Sequence, residues 1–219
     1  MSPELPPLRD VISRFGLNSR KKFGQHFLLD LNLTSKIVRA AGNLSACTVI
    51  EIGPGPGGLT RALLDSGAKQ VIAIERDPRC VEAIEDLASH YNGRLKVIDA
   101  NALELNLAAL CQGPKKIVAN LPYNVATPLL ISWLKSINQF ESLTLMFQKE
   151  VADRLTASPG NKTYGRLSVL AQWLCHTNHE FDIARTAFTP PPKVESTLVT
   201  LTPRADPLAA DWQNFEKVT

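Results

Sequence analysis

One segment constrains the fold more than any other. Thr48-Val49-Ile50-Glu51-Ile52 is apolar and β-branched apart from a single acid, and it runs directly into Gly53-Pro54-Gly55-Pro56-Gly57-Gly58. A buried strand, a glycine turn and a helix over about 59–64 follow one another without a spacer. Gly53, Gly55 and Gly58 satisfy G-x-G-x-x-G, and Glu75 closes a second strand, 70–74, about 20 residues further on. That succession belongs to a βαβ unit, because parallel strands need a crossover helix between them.

The rest of the chain repeats the rhythm. Residues 28–42 read as an amphipathic helix, with Leu33, Ile37, Val38 and Ala41 at helical spacing and Asp30 or Asn32 as its cap. Pro78 opens a helix carrying Val81, Ile84 and Leu87. Further strands are expected at 95–98, 117–119 and 143–147, with a helix over 128–134. Helices are expected at 150–157 and 166–175. Strands at 181–184 and 197–201, separated by Thr189-Pro190-Pro191-Pro192-Lys193, suit an antiparallel pair at a sheet edge. The fold class is therefore α/β: a Rossmann-like, mainly parallel seven-stranded sheet with helices on both faces and an antiparallel edge hairpin. Residues 1–13, with three prolines, read as a flexible N-terminal tail. Residues 14–203 form the main domain, and 204–219 read as the start of a truncated small helical C-terminal domain.

Composition narrows the class. Hydrophobic residues make up 44% of the 219, enough for a full core. The net charge of +3 does not by itself argue for nucleic acid. Its distribution is more telling: Arg14, Arg20, Lys21, Lys22 and His26 crowd together, and Arg20, Lys21 and Lys22 are candidates for contacts to a phosphate backbone. The same cluster also suits a solvated face. Cys47, Cys80, Cys111 and Cys175 form no C-x-x-C pair and read as reduced core cysteines of a cytoplasmic protein. His176 and His179 lack the carboxylate context of a metal site. Neither a metal nor a membrane partner is expected.

The glycine turn alone does not choose among nucleoside cofactors. A pyrophosphate needs backbone N–H donors at the loop and helix start, and Pro54 and Pro56 supply none. S-adenosylmethionine carries an adenosine without a phosphate. Glu75 would accept from its ribose hydroxyls, Asp99 from the adenine amine, and Glu51 would place negative charge beside its cationic groups. Glu51, Gly53, Glu75, Asp99 and Asn120 all fall at carboxyl ends of strands, where ligands of open α/β sheets collect.

Residues 117–124 read I-V-A-N-L-P-Y-N. The strand ends in an amide, a proline and a large aromatic on that same rim. An adenine N6 amine is a poor nucleophile because its lone pair is conjugated with the ring. It gains reactivity when acceptors hold both of its N–H bonds. Asn120 offers a side-chain oxygen and Leu121 a backbone carbonyl, aimed by Pro122. Tyr123 offers a stacking face, worth ~1–3 kcal/mol.

Phe23-Gly24-Gln25-His26-Phe27-Leu28, Glu51-Ile52-Gly53-Pro54-Gly55, Asn120-Leu121-Pro122-Tyr123-Asn124 and Phe188-Thr189-Pro190-Pro191-Pro192-Lys193-Val194 with Ser196 occur in that order. Over about 14–203 the chain closely resembles the KsgA family, the small-subunit rRNA adenine N6,N6-dimethyltransferases. The resemblance implies a class I methyltransferase that transfers two methyl groups from S-adenosylmethionine to each of two adjacent adenosines near the 3′ end of small-subunit rRNA, in an immature ribosomal subunit, as a monomer. It implies cofactor contacts at Gln25, His26, Leu28, Gly53, Gly55, Glu75, Asp99, Ala100 and Asn120. It implies an acceptor pocket of Asn120, Leu121, Pro122 and Tyr123, with Phe188 as the second aromatic against the base. Many relatives carry Asn where this chain has His26. Three other readings compete: a large-subunit rRNA adenine methyltransferase, an RNA-binding assembly factor without turnover, and an NAD oxidoreductase, which Pro54 and Pro56 disfavour.

Overall fold

The computed structural model describes residues 5–18, 24–207 and 212. Its main sheet has seven strands: β2 (Thr48–Ile52), β3 (Gln70–Glu75), β4 (Leu95–Asp99), β5 (Lys115–Asn120), β6 (Ser142–Gln148), β7 (Cys175–Ile183) and β9 (Ser196–Pro203). They lie in the order β4-β3-β2-β5-β6-β9-β7. The pairings β3–β4, β2–β3, β2–β5 and β5–β6 are parallel, and β9 alone runs against its neighbours β6 and β7. The chain builds outward from β2 to β4, then returns to start again at β5 on the other side of β2. The order reverses between β2 and β5, so a crevice opens at the carboxyl ends of those two strands.

Both faces of the sheet are covered, which is why its central strands are apolar throughout. Ile50, Ile52, Ile72, Ile74, Ile117 and Ala119 face one way, onto α5 (Tyr123–Leu134), α6 (Lys149–Leu155) and α7 (Arg166–Leu174). Val49, Val71, Ala73 and Val118 face the other, onto α2 (Leu31–Ala40), α3 (Gly58–Asp65) and α4 (Pro78–Ala88). The caps follow the sequence: Asp30 accepts from the backbone N–H groups of Asn32 and Leu33, and Asp77 accepts from that of Arg79 with Pro78 at the first helical position.

Three elements depart from the sequence reading. Helix α5 starts at Tyr123, five residues before Pro128, which sits inside it. Proline removes one N–H and disfavours a helix interior, so the residue that looked like a start signal is an interior defect. The helix is held by packing instead: Ala126, Leu129, Leu130 and Trp133 are all buried. Next, β7 starts at Cys175 and is nine residues long. His176 and His179 therefore stand on an edge strand rather than at a helix end, and His179 Nε2 lies 3.2 Å from Asp182. Lastly, residues read as a loose tail contain α1 (Leu8–Arg14), with Leu8 and Val11 buried. Arg61 donates to the Pro6 carbonyl at 2.7 Å, and Arg79 donates to the carbonyls of Gly16 and Asn18. The prolines before α1 hid a docked segment whose signal is one pair of apolar residues three apart.

A second, two-stranded sheet positions the site. β1 (Phe27–Leu28) pairs antiparallel with β8 (Phe188–Thr189), Leu28 opposite Phe188 and Phe27 opposite Thr189. It brings together two motifs 160 residues apart in the chain. β1 lies hard against the start of α3: a Cβ on Gly58 would meet the Leu28 carbonyl oxygen at 2.5 Å. Gly58→Ala should therefore push the strap off the helix and destabilise the protein by about 1–3 kcal/mol in urea denaturation, an overpacking cost. Gly67→Ala should show no such clash, since nothing lies within 4 Å of its added Cβ, and only its left-handed backbone at φ 89° is strained.

Candidate active site

A cavity occupies the crevice between β2 and β5. It is lined by the strap 24–28, the glycine turn from Glu51 to Leu59, the end of β3 with Glu75 and Arg76, the segment Ala100–Leu103, and Asn120 through Val125. Of the residues expected there, Gln25, His26, Leu28, Gly53, Gly55, Glu75, Ala100, Asn120, Leu121, Pro122 and Tyr123 all line it.

The glycine turn is set by close approach. Gly55 has φ 56°, and a Cβ there would lie 2.9 Å from the Phe27 ring. No larger residue fits between the turn and the strap. The turn is tied to its neighbour strand by Gly53 N–H donating to the Ile74 carbonyl at 2.9 Å.

Asn120 ends β5, where its amide nitrogen donates to the His26 carbonyl at 2.9 Å. That bond fixes the rotamer and leaves the amide oxygen as an acceptor, with no hydrogen bond to it among the described residues. The Leu121 side chain is buried at 2% exposure, so this residue can serve the cavity only through its backbone. Tyr123 is half-buried; its hydroxyl and that of Ser196 lie 2.5 Å apart. Burial raises the Tyr123 pKa, an effect the Ser196 contact partly offsets. The His26 ring stacks on Tyr123, with centroids 5.8 Å apart and planes at 27°. Its Nδ1 lies 2.8 Å from the Pro190 carbonyl, which only accepts, so Nδ1 carries the proton.

Three acids meet behind this rim. Glu75 is 8% exposed. Its Oε1 accepts from the backbone N–H groups of Arg76 at 2.8 Å and Asp77 at 3.0 Å. Burial raises its pKa, and these donors offset that only in part. Asp77 is fully buried, which alone would raise its pKa. Arg79 and Gln25 hydrogen-bond to it, at 2.6 Å and 3.0 Å, and carry the net shift downward. Gln25 thus holds the strap to β3's end. Glu51 is 1% exposed, and its Oε2 has no partner. Burial pushes its pKa up to about 8; Thr60 opposes the shift and Glu75 adds to it.

The expected negative charge at Glu51 is therefore corrected. With no ligand its carboxyl is mostly neutral near pH 7, because desolvation exceeds any help from its neighbours. Two further expectations change. Asp99 is exposed and does not line the cavity; Ala100 and Asn101, the next residues, do. Phe188 is 2% exposed, packed in the core beneath the strap, and is absent from the cavity wall. An aromatic before three prolines looked presented to ligand, but its place opposite Leu28 in β8 turns it inward. Arg20, Lys21 and Lys22 lie outside the described residues.

Sequence reasoning gave no role to Asp77, Asn101 or the Pro190 carbonyl. Asp77 carried a signal, as an acid directly before a helix-opening proline; the other two depend on which segments the fold brings together.

The pocket fits an adenosine bearing a cationic group. The glycine turn lacks N–H donors at Pro54 and Pro56, Glu75 presents a carboxylate at the end of β3, and an orphaned buried carboxyl oxygen stands in the wall. This rim on this sheet order defines a Rossmann-like methyltransferase. The chain belongs to the ribosomal RNA adenine dimethylase family, whose model matches residues 16–219. The ribosomal RNA small subunit methyltransferase A of Rhodospirillum rubrum is 58% identical over 216 residues, covering 98% of this chain and 75% of that one. The protein of that name from Paramagnetospirillum magneticum is 58% identical over 217 residues, with 99% and 77% covered. Among solved structures, a dimethyladenosine transferase from Plasmodium falciparum superposes with a TM-score of 0.79 at 31% identity, over 88% of this chain and 69% of that one. The 23S rRNA methyltransferase ErmE gives 0.74 at 30% identity, over 87% and 75%.

The buried acid makes stability depend on pH. The folded protein holds a proton on Glu51 up to about pH 8, whereas the unfolded chain releases it near 4.5. Folding therefore takes up a proton in that window, and this group lowers stability progressively as pH rises through it. Without ligand, Glu51→Gln should melt several degrees higher than the parent at pH 9 and show a smaller difference at pH 5. Thermal melts at the two pH values check this; parallel curves would mean that the carboxyl is not held neutral.

Proposed function

We propose that this protein is an S-adenosylmethionine-dependent rRNA adenine N6,N6-dimethyltransferase that modifies two adjacent adenosines near the 3′ end of small-subunit rRNA in an immature subunit. The observation that carries the reading is the Asn120 amide, pinned through its nitrogen by the His26 carbonyl with its oxygen left to accept at the cavity. The small-subunit enzymes that are 58% identical to the chain support the choice of substrate.

When bound, S-adenosylmethionine supplies an electrophilic methyl group on a cationic sulfur. Glu75 would hold the ribose hydroxyls with the carboxylate edge that its backbone donors leave free. The strap and the glycine turn would enclose the nucleoside, and Ala100 and Asn101 would border the adenine. Asn120 Oδ1 and the Leu121 carbonyl would accept the two N–H bonds of the target amine, favouring a nitrogen whose lone pair is less conjugated. The Tyr123 ring, oriented by Ser196 and backed by His26, is the stacking surface for that base. An amine alkylated by a cationic donor sheds its proton to solvent, so no strong general base is required and catalysis is mostly positioning and electrostatics. Arg20, Lys21 and Lys22 would contact the RNA backbone.

Incubating the protein with immature small subunits and labelled S-adenosylmethionine, then mapping dimethyladenosine, tests the whole reading. Label entering the large subunit instead would overturn the choice of substrate. Asn120→Ala should abolish most transfer while leaving cofactor affinity within about tenfold, since the contact is made to the acceptor in the transition state. Near-normal turnover would refute that role. Glu75→Ala should weaken cofactor binding by ~1.5–3 kcal/mol, a lost charged hydrogen bond; calorimetry reads it directly, and an unchanged affinity would remove Glu75 from the site.

A further inference from the structure

Of the two acids in the cavity wall, Glu51 is the one that the mechanism leaves unused. Its Oε2 is buried and makes no geometrically sound hydrogen bond among the described residues; Thr60, on α3, eases its ionisation but brings no positive charge. A carboxyl in this state has two stable outcomes, to stay protonated or to gain a positive neighbour. Among the described residues no such neighbour is in contact with it. Arg61, next to Thr60, turns its guanidinium to the Pro6 carbonyl at 2.7 Å. Glu75 at the end of β3 carries like charge. Asn120 at the end of β5 is neutral. His26 and Arg76 line the same cavity, and the charge of Glu75 opposes the ionisation of Glu51.

We infer that Glu51 is a proton-linked receptor for positive charge, ionising when a cationic nucleoside enters and so favouring the charged methyl donor over its uncharged-sulfur product. The inference rests on the S-adenosylmethionine reading above. The carboxyl O–H bond breaks, its electron pair stays on the oxygen, and the proton passes to solvent. With the product in place, which carries one positive charge fewer, the carboxyl is again protonated from solvent. The pocket therefore holds an unscreened negative charge only while there is a cation to meet it. The interaction gains from the burial of Glu51, because a buried charge is less screened than an exposed one.

Titration calorimetry of the full chain at pH 7, in buffers of different ionisation enthalpy, counts protons released per ligand bound. A carboxyl titrating near 8 is about nine-tenths protonated at pH 7, so with S-adenosylmethionine the parent should release close to one proton more than Glu51→Gln. Subtracting the variant removes any contribution from the ligand's own amino group. With S-adenosylhomocysteine the difference should nearly vanish. Between pH 6 and pH 7 the parent's affinity for the donor should rise about tenfold relative to the variant. Equal release from parent and variant, or from donor and product, overturns the inference. Should melting curves show Glu51→Gln unfolded, the parent alone decides, because a donor that releases no more protons than the product is equally fatal. Failure of the donor to bind at all would instead sink the assignment of the pocket.

Discussion

The join between the end of β5 and the strap is what the site depends on: Asn120 donates to the His26 carbonyl, and the His26 ring stacks on Tyr123. One is the carboxyl end of a core strand, fixed by parallel pairing on both sides. The other is a strap of few residues that belongs to no main-sheet strand. Gln25 ties the strap to Asp77, His26 ties it to Pro190, and β1 pairs with β8. Each tie lands on a different element, so the strap is located in three dimensions although it has little secondary structure of its own. Gly58 removes the last obstacle by letting the Leu28 carbonyl ride against the start of α3. Part of the amide that would do chemistry is thereby spent on architecture, and its remaining oxygen inherits a fixed direction.

Three neighbouring acids show what decides charge in such a place. Asp77 has no exposed surface and yet ionises readily, because Arg79 and Gln25 supply donors and a full positive charge. Glu75 has backbone donors but no cation, and its pKa is raised. Glu51 has no cation and only Thr60 to help it, and burial wins. Exposed area alone does not separate them; the supply of donors and of a cation does. Only the acid with a built-in cation is a structural one, capping α4 and anchoring the strap. The other two face the cavity with unmet capacity, where a ligand can change their state.

Much of this was legible in the sequence. The alternation of apolar strands and amphipathic helices gave the sheet, because central parallel strands must be apolar on both faces. The glycine pattern and the acid closing the next strand gave the crevice. What stayed hidden has specific physical causes. Pro128 mimics a helix start, and only the packing of Leu129, Leu130 and Trp133 against the sheet overrides it. Phe188 sits beside a proline run that looks exposed, but its partner Leu28 on β1 is 160 positions away, so the direction of its ring is not a local property. Charge at Glu51 could not be read from residue type, because it depends on which donors the fold fails to deliver.

The two prolines of the glycine turn and the unpartnered acid beside it then have a common meaning. A turn that binds phosphate concentrates N–H groups, whose partial positive charge favours anions beside it. Here the donors are missing at Pro54 and Pro56, while two acids, Glu51 and Glu75, stand in the wall. A pyrophosphate would lose hydrogen bonds and find two acids instead of donors. A nucleoside with positive charge would lose nothing at the turn and gain at the wall. The glycine pattern is shared by both kinds of pocket; what separates them is the sign of charge the surrounding atoms can solvate, and in this chain that sign is positive.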